Sequence, residues 1–372
     1  MHITVNAMPR RIPQMEPWIG QEERNALAEY MDSGGWITEY RRTNEFEGML
    51  ADFVGSEYAV VVNNGTVSLA VALMALGLER DDEVIVPDFT MIGSANAVRL
   101  AGGKPIFVDV DRLNLCLDLD QARRAVTDKT KVIMYVSLNG RCHDMSLVSE
   151  FAAECNVLLL EDAAQSLGSR CHGRHLGTFG KAGSFSFSTP KIITTGQGGA
   201  IVTDDKVLYE KILLIKDFGR PKSGVDYHQT LGYNFKFTDV QAVIGIEQIK
   251  KLDWRLKRKK EIYKTYVDLL RETPGIEFME TNLEDTAPWF IDIIVPEKRD
   301  ELAASLSKTG IGARPFYPAI HTQPPYEYVK GRFPNSEYVS MNGLWLPSST
   351  RLTDDDIHWV CHEIDTHMRQ SA

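Results

Sequence analysis

The chain is poor in the features that mark several broad classes of protein. Its five cysteines (Cys116, Cys142, Cys155, Cys171 and Cys361) form an odd, scattered set without a Cys-x-x-Cys pair. That usage argues against a disulfide framework and predicts reduced thiols in a cytoplasmic protein. No run of about 18 apolar residues is present. Residues 1–14 also lack the apolar stretch of a secretory signal, so neither a membrane span nor a signal peptide is predicted. Positive charge is in deficit: 41 Lys and Arg against 51 Asp and Glu leave a formal charge of −10. A surface of that sign repels phosphate and argues against a nucleic-acid partner. The glycine spacing of a dinucleotide-binding turn is missing, since Gly196-Gln197-Gly198-Gly199 has the wrong spacing and follows no long apolar strand. A P-loop is absent too.

What the sequence does contain is the balance of a globular protein with a core, 43% hydrophobic and 25% charged over 372 residues. Short apolar, β-rich runs alternate with helical patterns between Tyr58 and Thr203. The runs are Tyr58 to Val62, Glu83 to Val86, Lys104 to Val108, Lys131 to Val136, Val157 to Leu160, Gly183 to Phe187 and Ala200 to Thr203. Most are continuous, as strands covered on both faces are, which predicts an open α/β sheet with ligands at the carboxyl ends of its strands. Helical pattern then runs from Thr238 to Arg271 with a break at Asp253-Trp254. A strand from Trp289 to Val295, a helix from Arg299 to Lys308 and a last helix from Asp354 to Met368 follow. This divides the chain into a large domain over 1–250 and a smaller α+β domain over 251–372. The first residues, with a helix from Gln21 to Met31, are expected to pack on the large domain. The basic cluster Arg255, Lys257, Arg258, Lys259 and Lys260 reads as a solvated helix face, with a local anion site as the alternative.

Three places carry candidate chemistry, each at the end of a predicted strand. Asn63-Asn64-Gly65-Thr66 leads into a helix, so it is either a phosphate site at a helix N-terminus or an ordinary capped turn. Leu158 to Leu160 ends in Glu161-Asp162, and only one of two adjacent carboxylates on a strand can face a given site. That carboxylate either holds a cationic ring nitrogen or a metal, or caps a helix. Lys191 follows Pro190 and precedes the Gly-rich turn Gly196 to Gly199. It is either a buried nucleophile for Schiff-base chemistry or a loop lysine in water. Cys171, His172 and His175, and separately His358 and His362, have ligand-like spacing, but neither group has a matching second cluster and no metal is expected.

Taken in order, these motifs resemble the DegT/DnrJ/StrS family of sugar aminotransferases over nearly the whole chain. The resemblance rests on Phe46-Glu47, Asn64-Gly65-Thr66, Asp82 to Pro87, Phe107-Val108-Asp109, Glu161 to Ser166, Phe185-Ser186-Phe187, Lys191, Thr194 to Gly199 and Gly232 to Gln241. It implies the fold-type-I architecture of aspartate aminotransferase, with a mixed, mostly parallel sheet and a smaller α+β C-terminal domain. It also implies pyridoxal 5′-phosphate as cofactor. Lys191 would then hold the cofactor covalently and move a proton, and Asp162 would pair with the pyridine nitrogen. Gly65, Thr66 and Ser186 would bind the phosphate, and Gln165 would lie against the ring. Asn234 would reach the phosphate of the neighbouring subunit in a homodimer with shared sites. Met91 stands where the family usually has an aromatic residue on the ring, with Phe89 as a possible substitute.

The resemblance further implies a reaction: an amino group passes from L-glutamate to a nucleotide-linked keto-deoxysugar, for a surface polysaccharide or a glycosylated metabolite. The favoured acceptor is a 4-keto-6-deoxyhexose, as in perosamine-type synthases, with a 3-keto sugar next. Arg314, Tyr317 and His321 resemble the segment bordering the sugar-nucleotide pocket, and Trp36 a loop near the partner's site. Two rivals remain. A cofactor-dependent sugar dehydratase would carry histidine at the lysine position, which Lys191 opposes; a non-catalytic cofactor-binding regulator is encouraged only by Met91.

Overall fold

The computed structural model describes residues 10–222 and 224–370. Its centre is a seven-stranded sheet of β1 (Tyr58–Val62), β2 (Glu83–Pro87), β3 (Lys104–Val108), β4 (Thr130–Val136), β5 (Leu158–Asp162), β8 (Ala182–Ser186) and β9 (Gly199–Thr203). The intervening β6 (Arg170–Cys171) and β7 (Arg174–His175) form a small hairpin. Strand order is β1-β9-β8-β5-β4-β2-β3. Only β9 is reversed, pairing antiparallel with β1 and β8, while β8, β5, β4, β2 and β3 are mutually parallel. All seven predicted strands are present, with ends displaced by a residue or two.

The continuous apolar runs have a direct cause. Val84 and Val86 join Val132, Met134 and Leu160 in a core on one face of the sheet. Their neighbours Ile85, Ile133 and Leu159 turn to a second core on the other face. Side chains alternate across a strand, so both parities must be apolar when helices cover both faces. The Gly65–Ala75 helix is one such cover, and Gly77, at φ +81°, closes it in the left-handed conformation that glycine adopts without strain.

A second unit holds the antiparallel strands β10 (Glu277–Phe278), β11 (Ile291–Ile294), β12 (Arg314–Pro315) and β13 (Gly343–Leu346), in the order β10-β11-β13-β12. The Arg299–Lys308 and Asp354–Gln370 helices and the later turns of the Leu252–Leu270 helix enclose its core, which includes Tyr266, Ile293, Leu302, Leu344 and Val360. The break between the two long helices lies at Lys250-Lys251, a little before the expected Asp253-Trp254, and β11 starts at Ile291 rather than Trp289. No helix among the described residues is long and apolar enough to cross a membrane.

Two expectations need correction. The Gln21–Asp32 helix does pack on the large unit, where Gln248 donates to Glu23 at 2.6 Å. Ile12, however, belongs to the core of the second unit, and its amide donates to the Gly310 carbonyl at 3.0 Å. The basic cluster is also not a uniformly solvated face. Arg255 and Lys259 are 3% and 0% exposed, because a four-residue step puts them on the inward stripe with Ile262, Tyr263 and Tyr266.

Buried polar contacts dock the two units. Arg141, just beyond β4, makes a two-pronged ion pair with Asp292 of β11, at 3.2 and 2.5 Å. Asp109, after β3, accepts from the Ser336 amide at 2.8 Å and from the Ser336 hydroxyl, capping the Pro334–Asn342 helix. Arg141→Met would leave the Asp292 charge buried and unpaired. The expected loss is about 3–5 kcal/mol of stability, read from the denaturant midpoint; a midpoint unchanged from wild type would show that the pair is dispensable.

Candidate active site

With β9 alone reversed, the carboxyl ends of the other six strands gather along one edge of the sheet, the place where open α/β sheets bind ligands. Between that edge and the second unit lies a cavity of about 310 Å³. Nine of the residues proposed from sequence line it: Gly65, Thr66, Met91, Asp162, Gln165, Ser186, Lys191, Arg314 and Tyr317.

The turn after β1 is both of the things its sequence allowed. Asn64 caps the Gly65–Ala75 helix, its side-chain oxygen accepting from the Val67 amide at 2.9 Å. That leaves the Gly65 and Thr66 amides at the helix N-terminus, beyond reach of any intrahelical carbonyl. They stand at the cavity wall, at the positive end of the helix dipole. Glycine is required there, because a Cβ on Gly65 would fall 2.9 Å from Ser186 Cβ.

The two acids at the end of β5 part as the strand geometry demands. Glu161 is wholly buried away from the cavity and accepts from the amides of Gly177 at 2.7 Å, Phe179 at 2.5 Å and Gly180 at 2.8 Å. Burial pushes its carboxyl up to about 6, against those three bonds. Asp162 faces the cavity. Its oxygens accept from Ser94 Oγ at 2.7 Å and the Ala164 amide at 3.2 Å, and no helix starts after it, so it is not a helix cap. Burial raises its pKa, opposed by those bonds and by the nearby Lys191. Gln165 is held by its side-chain oxygen, which accepts from the Asn139 amide at 2.9 Å.

Lys191 lies in the turn after β8 with its amine in the cavity. Nζ sits 4.0 Å from the centroid of the Trp289 ring. Burial lowers its pKa to about 8, partly offset by the negative charge of Asp162. At the mouth, Arg314 stacks over Tyr317 and Trp345, 5.6 and 5.4 Å from their centroids. Met91 is half-exposed at the cavity wall, whereas Phe89 is fully buried beside Phe316 and Tyr317 and takes no part.

Three proposed residues lie elsewhere. His321 is turned from the cavity, its Nδ1 lying 2.6 Å from a carboxylate oxygen of Asp88. Trp36 and Asn234 are exposed on the surface. His175 is committed to the fold, its Nε2 accepting from the Gly168 amide and its Nδ1 facing the Leu176 carbonyl. The residues that sequence reasoning missed are Ser94, Ser188 and Trp289. Ser94 sits inside a helix with no motif to flag it, and Trp289 is far from Lys191 in the chain.

The sequence from residue 17 to 365 matches the model of the DegT/DnrJ/EryC1/StrS aminotransferase family. GDP-perosamine synthase of Escherichia coli O157:H7 is 35% identical, the match covering 95% of this chain and 98% of that protein. Among solved structures, S. venezuelae DesV is 31% identical with a TM-score of 0.89, over 94% of each chain. An E. coli GDP-4-keto-6-deoxy-D-mannose-3-dehydratase with bound hydrated PLP is 25% identical with a TM-score of 0.88, covering 96% of this chain and 100% of that one. The cavity suits that cofactor. It offers an amine for an aldehyde, a buried carboxylate for a ring nitrogen, and a glycine-floored helix terminus with Thr66 and Ser186 hydroxyls for a phosphate. The chain belongs to the DegT/DnrJ/EryC1/StrS aminotransferase family and is a pyridoxal-phosphate-dependent sugar aminotransferase.

Proposed function

We propose that this enzyme moves the amino group of L-glutamate onto a nucleotide-linked 4-keto-6-deoxyhexose, giving a perosamine-type amino sugar. The carrying observation is the meeting of the Lys191 amine, the Asp162 carboxylate and the Gly65–Thr66 helix terminus in one cavity. The acceptor is drawn from GDP-perosamine synthase, the relative noted above. A 3-keto sugar is the second candidate. The dehydratase structure shows that this fold also hosts another outcome on a similar sugar, and the lysine at 191 favours amino transfer here.

Bound pyridoxal phosphate supplies an aldehyde for the amino group and a cationic ring that spreads the charge left when an adjacent carbon loses its proton. Lys191 would hold the cofactor through Nζ, and the same amine is the base placed to take a proton there. Asp162, kept in place by Ser94 and Ala164, would pair with the ring nitrogen and favour its protonated form. Gly65, Thr66 and Ser186 would bind its phosphate, and Gln165 and Met91, which line the same cavity, would bear on its ring. Arg314 and Tyr317 receive the substrate at the mouth. Asn234 and Trp36, both exposed, serve the neighbouring cavity in a homodimer. His321, hydrogen-bonded to Asp88, lines a separate cavity with Phe316 and Glu337.

Lys191→Ala is expected to lower turnover roughly 10²–10⁴-fold or more, the scale of a lost positioned base. Amination of GDP-4-keto-6-deoxymannose with glutamate, followed by mass detection, reads both turnover and acceptor; wild-type rates in the variant would remove Lys191 from the reaction. A product from 3-keto but not 4-keto sugars would reverse the order of acceptors. Asp162→Asn removes a charge that favours the Lys191 ammonium, so in cofactor-free protein the amine should titrate below its value of about 8. Competitive acetylation with peptide mapping across pH measures this, and an unchanged midpoint would mean that the two groups are not coupled.

A further inference from the structure

The Leu252–Leu270 helix carries two buried basic side chains toward the active-site lysine, and the reaction just described uses neither. Arg255 donates through Nη1 to the carbonyl of Ile192, the residue after Lys191, at 2.8 Å. Its other bonds reach Gln248 Oε1 at 2.8 Å and the Trp18 carbonyl at 2.9 Å. Lys259, one helical turn on, donates to the carbonyls of Trp289 and Ser348, both at 2.5 Å. Trp289 then donates its indole N–H at 2.7 Å to the carbonyl of Pro190, the residue before Lys191. Its ring lies against the Lys191 amine itself, 4.0 Å from Nζ to centroid. The backbone on both sides of Lys191 is therefore tied to a single helix face.

Such an arrangement is costly if stability were its only purpose. Burial lowers Lys259 to about 7 and Arg255 to about 10, and apolar side chains of similar volume would fill the same space without desolvating a charge. What the two donors contribute is direction, since each is aimed at a carbonyl that flanks or holds the reactive residue. We propose that Trp289 is a positioning residue that seats the Lys191 amine, and that Arg255 and Lys259 are the brace that fixes this seat. The proposal rests on the reading of Lys191 as the reacting lysine. The ring face holds the ammonium form by cation–π attraction, and the braced carbonyls keep the neutral amine from swinging out of the cavity. Asp162 is the charged group that bears on the Lys191 amine, and Arg314 and Tyr317 line the same cavity.

Two measurements test it. In cofactor-free protein, Trp289→Leu removes the face that favours the ammonium, so the acetylation midpoint of Lys191 should fall by about half a pH unit. In holoenzyme, Trp289→Phe keeps a ring but loses the N–H, and Lys259→Met keeps the volume but loses the charge. Each should lower kcat roughly tenfold with little change in the KM for glutamate, as expected when an aligned group is loosened. The double variant should lose no more than the worse single one, because both act through Trp289. An unmoved or raised midpoint in Trp289→Leu, an unchanged kcat in Trp289→Phe, or additive losses in the double variant would each overturn the proposal. If Lys259→Met fails to fold, the two Trp289 variants decide alone. Full turnover in Lys191→Ala would instead sink the functional reading, while the acetylation midpoint would still report whether Trp289 seats the amine.

Discussion

Lysine in water is almost wholly an ammonium at neutral pH, and an ammonium cannot attack an aldehyde. Everything near Lys191 bears on that constraint. Withdrawal from water lowers the pKa to about 8, a fall that the Asp162 charge partly offsets. The balance leaves an amine that can hold or release a proton near physiological pH. Full desolvation without that charge would lower the amine's basicity further, and it would be a poorer acceptor of a proton from carbon. Desolvation is the larger influence on this amine and the Asp162 charge the smaller one that limits it.

The same edge of the sheet shows how identical side chains are given different work by position. Asp88, Asp109 and Asp162 all stand at carboxyl ends of strands, and Glu161 sits beside the last of them. Asp88 and Asp109 spend their oxygens on the second unit, through His321 and the start of the Pro334–Asn342 helix. Glu161 spends its own on three amides of the loop before β8. Only Asp162 keeps a face toward the cavity. The acids that close the gap between the units and the acid that bears on the chemistry belong to one row, so docking and catalysis share a frame.

Much of this was legible in the residues. Continuous apolar runs bounded by turn signals gave every strand of the large sheet, because covering both faces leaves no polar parity to confuse the pattern. Lys191, Asp162 and the Gly65–Thr66 turn were findable because each stands at a strand end with distinctive neighbours, and the family resemblance then ordered them. What escaped was contact made over long separations. Trp289 looked like the opening of a strand, and Ser94 like any polar residue in a helix. Arg255 and Lys259 were hidden by composition, since five basic residues close together suggest water. Helical spacing alone does not say that two of them share a stripe with Ile262 and Tyr266. The contact of His321 escaped for a related reason, because its partner Asp88 lies at the end of a strand far upstream.

Ile12 gives the assembly an order in time. It is seated among side chains from Ile262 to Met368 and bridged to Ile311, so the second core needs both the beginning and the end of the chain. The large sheet can be completed from contiguous segments as they leave the ribosome, whereas the smaller core must wait for its last helix to close over a segment made at the start. The cavity exists only once that closure has brought Trp289, Arg314 and Tyr317 against the finished sheet. The vitamin-derived group therefore meets a complete berth only at the end of folding, and early chains offer it half a wall.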